Sequence, residues 1–493
     1  MVRAIICAPF GGSLMIRSAF PLLGVFLAFM PAAAWLEPAT SLPPQALSGG
    51  TLSIADDSSA AYSHPIPSLD AKQQELFALG HQMFTNRWAF FWFENALFGR
   101  GPTSNAQACT SCHEGNGRGL APGTPLPTRK ADGEGRDHHI AVPFEPAPNL
   151  VIRVSIKGTD AHGGPHPHPY YGDQLQTFGV KGVVKTEGQF KIEWQEKTVT
   201  LADGEIVNLR SPRITLIDLA YGPLGEGAMF GGRLPPPLIG MGLLEAIPEN
   251  AILALEAKAP VDGIRGHANR VWDESQQKTV VGRFGSKANH GSLREQIAAA
   301  FINDIGLSSP VYPEQNCPGI QMYCKEQMVA GRPEITVLRL AATELYVRAL
   351  SVPARRNVDD PKVVRGEQLF AQARCTACHV PEFKTGEYPP LPQLANQTIR
   401  PYTDLLVHDM GADLADGRPD YQAGGSEWRT PPLWGIGLSE KVNGAGAFLH
   451  DGRARNFTEA ILWHGGEAEV SREAFRSLAK KEREALVAFL LSL

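Results

Sequence analysis

The chain has 493 residues, of which 43% are hydrophobic and 20% are charged, and its formal net charge at pH 7 is −5. This length predicts two or three domains, and the weak negative charge argues against nucleic acid or an anionic membrane surface as a partner. The 50 glycines and 39 prolines exceed average usage and predict long irregular connections around a compact core.

The first 34 residues predict a secretory signal peptide. Arg17 supplies a positive charge, an apolar run follows at 20–30, and small residues at 31–34 offer a cleavage site. The run is shorter than a membrane span of roughly 20 residues, so cleavage is favoured over an uncleaved anchor. Translation begins at Met1 or Met15. We therefore expect a periplasmic protein that does not span the membrane after cleavage.

Two stretches carry C-x-x-C-H, the attachment signature of c-type haem. They are Cys109-Thr-Ser-Cys112-His113 and Cys375-Thr-Ala-Cys378-His379. In such a motif the two thiols bond to the haem vinyl groups and the histidine binds the iron. A redox dithiol would not need the histidine, and a zinc site would need further ligands at short spacing. The sequence therefore predicts two covalently bound haem c groups.

A weak internal repeat predicts a separate domain for each motif. "GHQMF" at 80–84 precedes the first motif, and "GEQLF" at 366–370 precedes the second. The stretches 335–350 and 482–493 show apolar residues at helical spacing, so each half would pack an opening and a closing helix across one haem. The predicted fold is mainly α, with two cytochrome c-like domains. The predicted boundaries are an extension at 35–70, a first domain at 71–350, a linker at 351–361 and a second domain at 362–493.

The first domain is expected to contain a large insertion of strands and loops. The stretch 183–201 alternates apolar and polar residues after a turn signal, as a half-buried strand does. Cys317 and Cys324 also lie in this insertion, with six residues between them that include a Pro-Gly pair. In an oxidising compartment they predict a structural disulfide, with a catalytic dithiol as the alternative.

Nearly all of the mature sequence resembles the di-haem oxidoreductases of the bacterial cytochrome c peroxidase and MauG superfamily. The matching stretches are "PLIGMGLLEAIPE", "FGSKANHGSLREQIAAAFINDIG", "PYTDLLVHDMGADLADG", "EWRTPPLWGIG" and "FLHDGRARNFTEAILWHGGEAE". The last two are the most specific, because they parallel an Arg-Thr-Pro run followed by an aromatic-His-Asp-Gly turn in those peroxidases.

The resemblance implies a distal ligand for the C-terminal haem. In those peroxidases it lies fourteen residues after the turn histidine, which corresponds here to the step from His450 to His464. His464 stands where the family usually has methionine or tyrosine, and a second imidazole would favour ferric iron. A structural role for His464 is the alternative, and His408 and Met410 are competing ligands.

The resemblance also implies that the N-terminal haem reacts with peroxide and that a distal glutamate transfers the proton. Glu245 is the first candidate and Glu249 the second, with a helix-dipole role as the alternative. Arg118 is a candidate partner for a haem propionate. The electron route between the haems could include Trp428, Trp434 or Trp463, and the alternative is that these tryptophans belong to the core. The candidates for reversible ligation of this haem, or alternatively for a stiff exposed loop, are His138, His139, His162, His166 and His168.

The predicted function is that of a periplasmic di-haem oxidoreductase, most similar to a peroxidase. Electrons from a small redox donor protein would pass from a bis-histidine C-terminal haem to the N-terminal haem, which would react with hydrogen peroxide or a similar oxidant. The alternative is a non-catalytic electron carrier. Calcium between the domains is frequent in the resembling peroxidases, but no acidic loop here supports it.

Overall fold

The structure is a computed structural model that describes residues 42–91, 96–120, 122, 150–326 and 333–493. These residues belong to one compact unit, Glu37–Leu493. The predicted signal peptide and two candidate ligands, His138 and His139, lie outside the described residues. The predicted domain boundaries stay predictions. No helix in the described ranges is both long and apolar enough to cross a bilayer.

The described residues form helices along the whole chain, and most of these are short. The α-helices are α1 Ala71–Thr85, α2 Met241–Glu245, α3 Glu249–Glu256, α4 Leu293–Ala300, α5 Met322–Glu326, α6 Val337–Arg348, α7 Pro361–Gln372, α8 Ser439–Asn443, α9 Phe457–Leu462, α10 Glu469–Ser477 and α11 Lys480–Ser492. A π-helical turn, Phe301–Ile305, extends α4 directly.

The strands form several small sheets instead of one large one. They are β1 Trp88–Ala89, β2 Leu97–Phe98, β3 Thr103–Ser104, β4 Val151–Thr159, β5 Pro165–His166, β6 Phe178–Gly179, β7 Gln189–Thr200, β8 Ile206–Ile217, β9 Ala228–Arg233, β10 Arg270–Asp273, β11 Lys278–Val281, β12 Phe383–Lys384, β13 Thr398–Ile399, β14 Val407–Asp409 and β15 Glu427–Arg429. The sheet of β5, β4 and β9 has three strands, and the others are pairs.

The prediction of a mainly α fold was wrong. Helices make up only 31% of the structure and strands 20%. The physical reason is that long helices occur chiefly as the opening and closing pairs, while the intervening sequence alternates or is broken by glycine and proline. These segments satisfy their backbone groups in short antiparallel ladders, so β-structure occurs in both halves.

The internal repeat corresponds to two similar helix crossings. In the first half α1 packs on α6, and in the second α7 packs on α11. A β-carbon at Gly80 would overlap the carbonyl oxygen of Ala342, and one at Gly366 would overlap that of Ala485. Both glycines therefore allow two backbones to approach more closely than any other residue would.

The phenylalanine of each repeat faces the histidine of its C-x-x-C-H motif. The ring centroids of Phe84 and His113 lie 6.3 Å apart, and those of Phe370 and His379 lie 6.0 Å apart. The glycine fixes the helix crossing, and the phenylalanine four residues later packs on the imidazole side. The repeated pentapeptide thus positions the two motifs in the same way.

Replacing Gly366 by alanine is expected to destabilise the protein by about 1–3 kcal/mol or more, the usual cost of overpacking a core. The new β-carbon would meet a helix backbone, which cannot move aside as a side chain can. Gly319 is the matched control, because a β-carbon there has nothing within 4 Å. Urea unfolding of both variants measures the difference, and equal midpoints would show that the crossing does not need a glycine.

The long hairpin of β7 and β8 connects the insertion with the C-terminal half. Leu201 and Leu209 belong to the same apolar cluster as Phe370 and Phe489. Arg483 of α11 also donates hydrogen bonds of 2.8 Å to the carboxylates of Asp203 and Glu205, at the hairpin turn. The inserted strands therefore support the second half as well as the first.

Candidate haem sites

The two C-x-x-C-H motifs adopt the same backbone turn. Each begins with a single 3-10 turn, at Cys109–Ser111 and at Cys375–Ala377. In both, the histidine N–H donates a 2.9 Å hydrogen bond to the carbonyl of the first cysteine. This turn brings both thiols and the imidazole to one wall of a cavity. Neither cysteine pair forms a disulfide.

The first motif lines the N-terminal cavity, which has about 1410 Å³ of empty space. Its wall contains Cys109, Cys112 and His113 together with apolar side chains of α1, α4 and α6. The polar residues that complete the wall are Arg153, Arg233, Asn289, His290, Gln296, Thr343, Asp304, Asp420, Ser286 and Arg429.

The second motif lines the C-terminal cavity, which has about 1820 Å³ of empty space. Its wall contains Cys375, Cys378 and His379, and the predicted distal ligand His464. Arg118, His408, Met410, Trp428, Arg429, Trp434 and His450 also line it. The predicted proximal and distal histidines are thus brought to one cavity.

Three histidines present a neutral imidazole to these cavities. The Nδ1–H groups of His379 and His464 each donate a 2.8 Å hydrogen bond to a backbone carbonyl, of Tyr402 and of Ala460. His113 makes a longer bond of 3.4 Å to Gly117. Because Nδ1 carries the proton, Nε2 keeps the lone pair that binds a metal. Burial lowers the pKa of His113 and of His379 to about 4, so both rings are uncharged at neutral pH.

His464 is placed by the end of a short helix. Asn456 caps α9 by accepting a hydrogen bond from the backbone N–H of Glu459, and His464 follows just after the helix ends. Its bond to Ala460 then fixes the ring. Burial lowers the pKa of His464 as well, which favours the uncharged form that a metal requires.

His408 is a weaker ligand candidate, although it lines the same cavity. Its Nε2 pairs with Asp404 and its Nδ1 with Glu467, each at 2.8 Å. Burial alone would lower the pKa of His408, but the bonds to Asp404, Cys378 and Glu467 raise it to about 12. The ring is therefore charged and both nitrogens are engaged. This also argues against a metal ion in the close group of Cys378, Asp404 and His408.

The cysteine thiols have the wrong properties for a redox dithiol. Burial raises the pKa of Cys109 and of Cys375 to about 12. A reactive dithiol needs a lowered thiol pKa, because the thiolate is the nucleophile. Four half-buried thiols outside any disulfide, in two cavities, fit covalent attachment of a cofactor instead.

Two arginines in these walls, the half-buried Arg118 and the buried Arg429, fit the carboxylates of haem. Among the described residues neither Arg118 nor Arg429 has a carboxylate partner: Arg118 donates to the carbonyl of Leu449 and its Nε is unpaired, and Arg429 donates to the carbonyls of Gly285 and Thr430. Burial lowers the pKa of each to about 10, so both stay charged. A buried cation is costly without an anionic partner, and haem propionates would supply one.

The predicted glutamates do not line either cavity. Glu245 accepts hydrogen bonds from the backbone N–H of Leu293, at 2.7 Å, and from Arg348, at 2.9 Å, and another from the hydroxyl of Tyr388. Glu249 is exposed at the first residue of α3. Their roles in proton transfer stay predictions that this geometry does not favour. Glu249 fits the helix-dipole alternative.

The three described histidines of the 162–168 loop also lie away from both cavities. His162 and His166 are exposed, and the ring of His162 stacks on Trp272 with 4.0 Å between centroids. His168 is buried, and its ring nitrogens bond to the backbone of Leu224 and of Tyr170. This arrangement fits the structural alternative better than reversible ligation.

Asp304 and His290 line the N-terminal cavity although no motif indicated them. Asp304 lies in the π-helical turn, and burial raises its pKa. His290 follows a tight loop whose ends pair through Phe284 and His290, and its Nδ1 bonds to Glu295 at 2.5 Å. Both residues lie in the stretch 284–306 that resembles the family, but the resemblance assigned neither of them a role.

The candidate tryptophans have different positions. Trp428 and Trp434 line the C-terminal cavity, and Trp428 stacks on His450 with 3.6 Å between ring centroids. Trp463 is buried outside the cavity lining, with Arg453 over its ring at 4.6 Å. The first two fit an electron route, and Trp463 fits the core.

Cys317 and Cys324 form a disulfide with a Cα–Cα distance of 5.9 Å. Neither residue lines either of the two cavities described above. The bond closes a loop that exposes Ile320, Met322 and Tyr323. This geometry suits a structural bridge, and a catalytic dithiol has no support from it.

Comparison with known proteins identifies the class. A family model described as "Di-haem oxidoreductase, putative peroxidase" matches residues 45–493. The chain therefore belongs to the di-haem oxidoreductase family, so it is an oxidoreductase enzyme with haem as its cofactor.

Two other comparisons add little. None of the curated proteins matches the sequence. A solved structure titled "Kuenenia stuttgartiensis Hydrazine Synthase Pressurized with 20 bar Xenon" aligns with 53% of this chain and 73% of that chain, with 16% identity and a TM-score of 0.28. Such a low TM-score supports no conclusion about fold or function.

Proposed function

We propose that this protein is a periplasmic peroxidase with two covalently bound haem c groups. The C-terminal cavity would hold a haem between His379 and His464, and the N-terminal cavity a haem on His113 with its other face open to peroxide. A small reduced donor protein would supply electrons to the C-terminal haem. The reaction is H₂O₂ + 2 H⁺ + 2 e⁻ → 2 H₂O.

One observation supports this proposal above the others: two complete attachment motifs line two cavities that share a wall. The residues common to both walls are Leu234, Pro236, Met241, Gly285, Ser286 and Arg429. A wall of single side chains keeps two redox centres close enough for electron exchange. The cavities also differ, because the second imidazole of the C-terminal cavity, His464, bonds a backbone carbonyl, whereas that of the N-terminal cavity, His290, bonds the carboxylate of Glu295.

The residues of the N-terminal cavity can manage the protons of peroxide reduction. Haem iron, when bound, supplies the electron transfer that breaks the O–O bond. The protein must take a proton from one peroxide oxygen and return it to the other. Asp304 faces the cavity, and Gln174 donates a 2.8 Å bond to its Oδ1. Its raised pKa moves it towards the range in which a carboxyl exchanges protons at neutral pH.

Replacing Asp304 by asparagine is expected to lower kcat/KM for hydrogen peroxide by about 10²–10⁴-fold, the usual contribution of a general acid–base group. The amide keeps the shape and the bond from Gln174 but cannot carry the proton. Steady-state peroxide consumption with a reduced c-type donor measures the effect, with the haem content of both proteins matched first.

Glu245→Gln is the comparison variant. It removes the charge that pairs with Arg348 at 2.9 Å, so we expect lower thermal stability with a smaller change in kcat/KM. If Glu245→Gln lost turnover and Asp304→Asn kept it, the glutamate predicted from the sequence would be the acid–base residue. In that case the assignment to Asp304 would be withdrawn.

The non-catalytic electron carrier is the second candidate, and His290 is the observation that favours it. His290 lines the N-terminal cavity and bonds Glu295 through Nδ1. Burial alone would lower its pKa, but Glu295 raises it, so Nε2 would bind iron only after losing its proton. If it did so in every redox state, peroxide would have no place on that iron. Electron paramagnetic resonance of the oxidised and the half-reduced protein decides between the two candidates: a high-spin or peroxide-responsive N-terminal haem supports the peroxidase, and two permanently low-spin haems support the carrier.

Two points support the periplasmic location. The N-terminus resembles a signal peptide, and covalent attachment of haem c requires an exported chain whose motif cysteines are still reduced. Cell fractionation of the tagged full-length protein tests it. Haem-stained protein in the periplasmic fraction, shortened at its N-terminus, is the expected result. Full-length protein retained in the cytoplasm without haem would contradict the proposal.

A further inference from the structure

Arg429 is the one strongly basic side chain that lines both cavities in the described part of the chain. It ends β15, where its residue pairs with Val407 of β14. Its backbone N–H donates a 2.9 Å bond to the carbonyl of Ser286. The side chain is only 8% exposed. It therefore lies in the shared wall, fixed by its own backbone.

The guanidinium of Arg429 has hydrogen-bond capacity that the protein does not use. Its Nε donates to the carbonyl of Gly285 at 2.9 Å and its Nη1 to that of Thr430 at 3.3 Å. Asp404 is near enough to stabilise the charge but makes no ion pair with it among the described residues. Guanidinium groups stay protonated even when buried. The guanidinium therefore keeps N–H donors and its full positive charge for anions in either of the two cavities.

We propose that Arg429 binds propionate carboxylates of both haems and couples the two centres electrostatically. The proposal rests on the proposed di-haem function and adds a residue that tunes it. Arg429 is a positioning residue here, because it would contact the cofactors' carboxylates and not the reacting atoms. A single cation between two anionic groups stabilises both, and its field acts on both irons.

The field of Arg429 has a definite sign. A fixed positive charge disfavours the more positive, oxidised state of a nearby iron, so it raises the reduction potential. Removing the charge should therefore lower both potentials. The effect should be large enough to measure because the site is buried and poorly screened by water.

The other arginines of the two walls provide controls. Arg118 also lacks a carboxylate partner among the described residues, but it lines only the C-terminal cavity. In the N-terminal cavity, Arg233 pairs with Asp416 at 2.5 Å and Arg153 lies 3.7 Å from Asp173. These two are therefore already partly neutralised. Arg118 is the matched control, since its loss should affect one centre only.

The test is a spectroscopic redox titration of Arg429→Gln, Arg429→Lys and Arg118→Gln in the holoprotein. The C-terminal haem, expected to be low-spin, and the N-terminal haem should give different visible and electron paramagnetic resonance signals. These signals report the two midpoint potentials separately. We expect Arg429→Gln to lower both potentials and Arg118→Gln to lower only that of the C-terminal haem. Arg429→Lys keeps the charge, so its two midpoint potentials should stay close to those of the unaltered protein. This comparison holds even if the glutamine variant is unstable.

Two outcomes would overturn the inference. In the first, Arg429→Gln shifts one potential or neither. In the second, Arg429→Lys shifts both as far as glutamine does, which would indicate a packing effect. The proposed function fails differently, through a haem count below two or an absence of peroxide turnover in the unaltered protein. Since the titration needs no turnover, the two failures are distinguishable.

Discussion

Replacing Cys375 and Cys378 by alanine is expected to leave one covalently bound haem per chain instead of two, and the same change at Cys109 and Cys112 should remove the other one. Each pair would supply both thioether bonds of one haem, and the structure places each pair in a separate cavity. Either double variant should lose peroxide turnover, because the proposed reaction needs both centres. Pyridine haemochrome assays and haem-stained denaturing gels give the count.

The third cysteine pair is the control for this experiment. Cys317→Ala with Cys324→Ala should keep two haems, since neither residue lines either of the two cavities. It should lower the free energy of unfolding by about 2–3 kcal/mol, the contribution expected for closing a short loop. A haem count of two in all three double variants would contradict covalent attachment, and the proposed function with it.

The second large effect is expected from His464→Ala, which should convert the C-terminal haem from low-spin to high-spin. The variant removes one of two imidazoles that line the cavity, so the iron would lose its distal donor. His464→Met should restore a low-spin iron, with a midpoint potential higher by on the order of 0.1 V, a fraction of the ~0.8 V range that axial ligands cover. Methionine favours the reduced iron and histidine the oxidised one. Electron paramagnetic resonance and potentiometry measure both effects.

Met410→Leu is the control for the ligand assignment. Met410 lines the same cavity as His464, and leucine preserves most of its volume. We expect the low-spin signal to survive this change. If Met410→Leu abolished it and His464→Ala did not, the ligand would be the methionine, and His464 would have only the structural role that its bond to Ala460 allows.

The physical character of this C-terminal centre follows from its surroundings. His379 and His464 are held by backbone carbonyls, so neither ring would need to reorganise if it bound an iron that changes oxidation state. His408, which pairs with Asp404, lines the same cavity. A rigid site with two strong donors suits electron transfer, whereas the N-terminal wall, with Asp304 and His290, suits proton chemistry.

The local geometry of the two cysteine motifs was predictable because it depends on local spacing. A C-x-x-C-H motif contains its own geometry, and both copies form the one-turn structure that brings thiols and imidazole together. The pentapeptides that begin at Gly80 and Gly366 also predicted a repeated structure, because a glycine at a helix crossing and a phenylalanine one turn later form a local pattern. The class of enzyme followed from these motifs and from the resemblance.

The fold class and the acid–base residue were not predictable in this way. The small sheets depend on pairing between segments far apart, such as Thr103 with Gly179, and no window of sequence contains both partners. Glu245 was chosen by analogy of position, but the fold turns its carboxylate towards Arg348 and Tyr388. Asp304 carries no motif, and only the packing of its turn against Gln174 brings it to the cavity.

The sequence by itself determined haem as the cofactor and predicts its covalent attachment and proximal ligation, because these need only residues that are neighbours in the chain. The tertiary structure alone decided how the two centres are related. It brought His464 into the same cavity as His379, separated Glu245 from both cavities, and placed Arg429 in a wall common to both sites. These relations join residues that are distant in the chain, so they arise from packing, which no local pattern encodes.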